Sequence, residues 1–90
     1  MGNRLFGLNE MDTKYVMFGG FLPVVFPAML PVTHAEMARL LSPHIGEPPT
    51  SAGFVGADAA GNINAYGESY SLGLKSDPKD SPILQRLITG

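Results

Sequence analysis

The chain contains no cysteine. Disulfide staples and thiolate metal centres are therefore excluded, and the composition suits a reducing compartment, with cytoplasm as the default. Charge is also scarce: only 16% of the 90 residues are charged, and the net charge is −2. The six basic residues, Arg4, Lys14, Arg39, Lys75, Lys79 and Arg86, are scattered along the chain. A protein that held nucleic acid by neutralising phosphates would cluster them, so no nucleic-acid partner is expected. The longest uncharged apolar stretch, Val16 to Val32, is interrupted by Gly19, Gly20, Pro23, Pro27 and Pro31. So many breakers fit a membrane-spanning helix poorly, and Met1 to Asn9 lacks the pattern of a secretory signal, so no membrane partner is expected.

Signatures of chemistry are missing as well. His34 and His44 are the only histidines. Glu36 stands two residues from His34, a spacing at which helical side chains do not face one another, so no metal site and no cofactor are expected. His34 reads as a surface residue of a first helical turn and His44 as a loop residue. Gly67-Glu68-Ser69 lacks the closing glycine of a nucleophile elbow, and Gly53-Phe54-Val55-Gly56 lacks the Lys-Ser/Thr pair of a phosphate loop. The expectation is a protein that is not an enzyme. Glycines 53, 56 and 67 read instead as points where another element approaches a sheet closely.

What is present is organisation. A 44% hydrophobic chain of this length is one small domain, burying roughly 60–65% of the surface its unfolded form exposes. Its core is thin, and apolar segments at Leu5 to Leu8 and Phe21 to Leu30 exceed what it can cover, so a homo-oligomer, a dimer first, is expected. Residues 1 to 13 read as a loosely held N-terminal arm and residues 14 to 90 as the domain.

Lys14 to Phe18 is rich in strand formers, Gly19-Gly20 supplies a tight turn, and Phe21 to Phe26 returns as a second strand. Pro23 lacks a ladder donor and places that strand at a sheet edge. Thr33-His34-Ala35-Glu36 matches a capping box, with Met37, Leu40 and Leu41 following on one helical face and Ser42-Pro43 closing a short helix. Ser51 to Ala57 and Ile63 to Tyr70 form a second hairpin, joined by Asp58-Ala59-Ala60-Gly61-Asn62 as a type I turn with a left-handed glycine. Alternation puts Ile63, Ala65 and Gly67 on one side of its second arm, and Asn64, Tyr66, Glu68 and Tyr70 on the other. Asp77-Pro78 and Ser81-Pro82 are helix-start signals. They predict one turn over 78 to 81 and a helix over 82 to 88, with Ile83, Leu84, Leu87 and Ile88 facing the sheet. The fold class is α+β, in ββαββα order: two hairpins forming one sheet with both short helices packed on one face.

One surface combines aromatic bodies, hydroxyls and positive charge. Tyr66, Ser69, Tyr70, Ser71 and Lys75 cluster in the second hairpin and its exit, and Arg39 or Arg86 could be supplied to them by a helix or a second subunit. An ordinary exposed strand face accounts for the same residues. If this is a site, it suits a small anionic, nucleotide-like ligand.

Two segments carry a resemblance. Ala65-Tyr66-Gly67-Glu68-Ser69-Tyr70-Ser71-Leu72-Gly73-Leu74-Lys75-Ser76-Asp77-Pro78, together with Pro23-Val24-Val25-Phe26-Pro27 leading to Thr33-His34-Ala35-Glu36, resembles small uncharacterised proteins encoded by tailed bacteriophages. These are motifs of fold, and the family has no activity to carry over. The resemblance implies a phage product in the host bacterial cytoplasm. The expected function is that of a non-catalytic accessory protein that binds or sequesters a host protein or a small nucleotide-like host signal. The alternative is a structural or assembly component of the virion.

Overall fold

The computed structural model describes residues 13–28 and 31–89. Of the expected arm, residues 1–12 with the Leu5 to Leu8 segment lie outside the described residues, as do Met29 and Leu30 of the second apolar segment. Thr13 is not part of a loose arm but the buried first residue of a strand, held there by pairing with its neighbours. In chain order the elements are β1 (Thr13–Phe18), β2 (Leu22–Pro27), α1 (His34–Ile45), β3 (Pro49–Ala57), β4 (Ile63–Tyr66), β5 (Glu68–Ser69), β6 (Leu74–Lys75) and α2 (Asp80–Thr89). The α+β class and the order of the main elements follow the expectation. Four strands make one antiparallel sheet in the order β2-β1-β3-β4, while β5 and β6 pair in a separate ribbon.

Both edges of the main sheet are closed to further strands. At β2 the closure is made by proline: Pro23, Val25 and Pro27 share one phase of the strand, opposite Met17, Tyr15 and Thr13 of β1. A proline cannot donate to a ladder, so this phase turns its backbone away from β1 and leaves Val25 as its only outward donor. At β4 the closure is made by a helix. The outward amides of Ile63 and Ala65 donate to Gln85 Oε1 at 2.8 Å and Ser81 Oγ at 2.9 Å, both on α2. Four helical residues and two strand residues span similar lengths, about 6 and 7 Å, which lets one helix turn serve both amides.

The two helices lie on opposite faces of the sheet, which corrects the expected placement on one face. Tyr15, Met17, Val55 and Ile63 pack with Leu84 and Ile88 of α2. Val16, Phe18, Phe26 and Ala52 pack with Ala38 of α1 and, at its margin, with Met37, Leu41, Ile45, Leu72 and Leu74. Successive residues of a strand point to opposite sides, and Tyr15, Val16, Met17 and Phe18 are all buried. The central strand is thus covered twice.

Local signals explain the element ends. Thr33 caps α1 by accepting from the Glu36 amide at 3.0 Å, while the Glu36 carboxylate accepts from the Thr33 amide at 2.9 Å. The helix does not close at Pro43; it runs on to Ile45 and ends at Gly46, a left-handed residue whose N–H bonds the Ser42 carbonyl. In the last turn the amide that proline lacks would have served only the carbonyl of Arg39, on an exposed part of the helix. The Asp58–Asn62 turn forms as expected, with Gly61 at φ 87° and the Asp58 side chain accepting from the amides of Ala60 and Asn62. Those bonds, the one from Asn62 first, hold the Asp58 carboxyl below the usual carboxylate range. Helix α2 begins two residues earlier than expected, and Leu87 stands half out of its packed face.

Candidate functional site

The second hairpin does not continue as one arm to Tyr70. Gly67 has φ 76° and breaks β4, after which Glu68 pairs with Lys75 and Ser69 with Leu74. The break is tied to Gly53 in β3, whose side-chain position is filled by backbone: a Cβ there would lie 2.5 Å from the Tyr66 carbonyl oxygen. Only glycine admits that approach. Part of the expectation for the glycines thus holds, with the chain's own crossing segment as the element that comes close.

On the α1 face one register row runs Phe26, Lys14, Phe54, Tyr66 across β2, β1, β3 and β4. His34, the first residue of α1, drops onto this row and meets Phe26 and Phe54 edge-on, with ring centroids 5.9 and 5.6 Å away. Its Nε2 lies 2.8 Å from the Gly53 carbonyl, to which it donates. His34 is buried rather than on the surface, because the sheet brings two phenylalanines around it; His44, expected in a loop, is in the last turn of α1. Burial holds the His34 imidazole below its ordinary pKa, assisted by the charge of Lys14 and opposed by the Gly53 bond. Lys14 itself donates to the Val32 carbonyl at 2.9 Å and stands 5.7 Å from the Phe26 ring centroid.

The seven residues singled out from the sequence divide. Ser69 is 2% exposed and its hydroxyl accepts from the Leu72 amide. Ser71 accepts from the Ala35 amide in the first turn of α1 at 3.1 Å, and the two serine hydroxyls are 3.3 Å apart. Tyr66 is half-exposed, its ring tilted against Phe54 with centroids 5.8 Å apart. Tyr70 is 89% exposed. Lys75 is exposed beside Glu68. Arg39 is exposed one helical turn beyond Ala35, on the same stripe of α1. Arg86, on α2, lies across the sheet from all of these and cannot join them within one chain. The β5–β6 ribbon and its turn carry Ser69, Tyr70, Ser71 and Lys75, and Tyr66 ends β4 just before it.

A second polar centre escaped the sequence reading. Asp80, 3% exposed at the start of α2, accepts from Tyr15 Oη at 2.6 Å, from Ser51 Oγ at 2.5 Å and from the Asp77 amide at 3.3 Å. Burial first, then the bond to Asp80 and its charge, push the Tyr15 hydroxyl above the usual tyrosine range. Sequence separations of 65 and 29 residues hid this cluster. A signal was nonetheless present in the Asp-Pro-Lys-Asp helix start, which offers two carboxylates where one cap suffices.

Among the described residues no group of three or more His, Cys, Asp or Glu could hold a metal ion, and no helix is long and apolar enough to cross a membrane. Comparison with protein-family models, with curated proteins and with solved structures finds no match to the chain.

Proposed function

We propose that this chain is a non-catalytic accessory protein of a tailed bacteriophage that binds and occupies a host factor in the bacterial cytoplasm, acting as a homo-oligomer. The observation that carries this reading is how the described chain disposes of its reactive groups. His34, Tyr15, Ser51, Asp80, Ser69 and Ser71 are all committed to contacts that hold the fold. Beside exposed charged side chains such as Arg39 and Lys75, the large hydrophobic side chains left exposed are Tyr70, Tyr66, Phe21, Leu22, Leu40 and Leu87. A surface of that kind serves recognition. The commitment of both serine hydroxyls to Leu72, Ala35 and each other favours a host protein over a small anionic ligand as the occupant.

The test is affinity purification of the tagged chain from infected host cells, followed by reconstitution of any complex from purified components. One host protein bound in fixed ratio supports the reading. Retention of a nucleotide-like molecule alone would restore the small-ligand version. Abundant peptides of this chain in purified virions would favour an assembly role, for which exposed Phe21 and Leu22 at the β1–β2 tip speak.

A further inference from the structure

We infer that the β5–β6 ribbon is a preorganised recognition loop whose anchor is Tyr70, and that it inserts this ring into a concave pocket of a protein partner; this rests on the host-factor reading above. The backbone of the loop is fixed from within. The Gly73 amide donates to the Ser69 carbonyl at 2.8 Å, closing a single helical turn around Tyr70, Ser71 and Leu72. Ser69 Oγ accepts from the Leu72 amide, Ser71 Oγ ties the turn to α1, and the Ser76 amide donates to the Gly67 carbonyl at 3.0 Å across the base. Leu72 and Leu74 pack into the α1-side core. Gly73 takes φ 69°, a conformation that lets the chain leave the turn without strain.

Every side chain of the turn except Tyr70 therefore faces inward or is spent on the backbone, and the tyrosine ring alone projects. That arrangement costs surface exposure of a large ring in the free protein, while fixing the loop in advance removes most of the ordering entropy that binding would otherwise meet. Tyr, Ser and Gly together are also the side chains that dominate antibody recognition loops: the tyrosine gives a rigid, amphipathic contact area. The flanking charges are Glu68 and Lys75, opposite each other in the ribbon, so the tip presents little net charge. A tip of this kind suits a largely uncharged pocket with a hydrogen-bond acceptor at its floor for the phenol, and it offers no attraction to a polyanion.

The experiment places the photo-reactive residue p-benzoylphenylalanine at position 70, and separately at positions 59 and 40, in the full chain expressed in host cells. A discrete adduct with one host protein from position 70, absent from position 59 in the β3–β4 turn, is expected. With that protein purified, Tyr70→Ala should weaken binding at least about 30-fold and Tyr70→Phe much less, as for an anchor residue. Both variants should melt at the wild-type temperature, because the side chain is 89% exposed. A host adduct from position 40 but not 70, or Tyr70→Ala binding within about threefold of wild type, overturns the loop inference and leaves the host-factor reading standing. Adducts only between copies of this chain overturn the loop inference in favour of a dimer contact, and no adduct from any position overturns both.

Discussion

At the scale of single residues, the fold depends on polar groups that would be costly if unpaired. Removing the Tyr15 hydroxyl in Tyr15→Phe takes one donor from a buried carboxylate. It should destabilise the protein by about 1.5–3 kcal/mol in urea unfolding, the usual range for a bond to a charged group. Tyr15 also sets an alkaline limit. Its folded pKa is raised, so its contribution is complete below the ordinary tyrosine value of about 10 and is lost as pH rises beyond it. The His34 effect runs the other way: with the folded pKa depressed, its contribution is present above the ordinary value of about 6.5 and lost as pH falls. Unfolding midpoints measured from pH 7.5 to 5 should decline for the wild type more steeply than for His34→Gln. Equal slopes would remove His34 from the account.

Elements were legible where the signal is local. The capping box, the Asp58–Asn62 turn and the edge placement forced by Pro23 each rest on residues within a few positions of one another, and each stands in the structure. Thr33→Ala should accordingly cost about 1 kcal/mol by the same unfolding assay. The distribution of helices over the two faces was misread. Yet Tyr15-Val16-Met17-Phe18 is continuous rather than alternating, which is the pattern of a strand covered on both sides. The end of β4 at Gly67 was hidden for a different reason: it follows from contact between the crossing segment and Gly53, 14 residues away in the chain. Gly53→Ala would drive a methyl group against the Tyr66 carbonyl and should destabilise by about 1–3 kcal/mol, an overpacking cost. Of the candidate surface, the sequence shows Tyr66 through Lys75 as neighbours along the chain. It could not tell that Ser69 and Ser71 spend their hydroxyls internally, because the acceptor roles depend on a turn that only the folded backbone defines.

For the whole molecule, the closed sheet edges restrict how copies can associate. Among the described residues neither β2 nor β4 offers a free ladder, which leaves side-chain surfaces such as Phe21 and Leu22 for contact between copies. Light scattering at micromolar concentration is expected to give a dimer mass, reduced to that of a monomer by Phe21→Ser; a monomeric wild type would end the oligomer proposal. The closure at β4 has a consequence in time as well. The Ser81 and Gln85 acceptors follow every described strand in the chain, so the β4 border is the last part of the sheet, in chain order, to gain its partners. Until α2 docks, the Ile63 and Ala65 amides are left to water, and the sheet keeps one open border with which a second chain can pair.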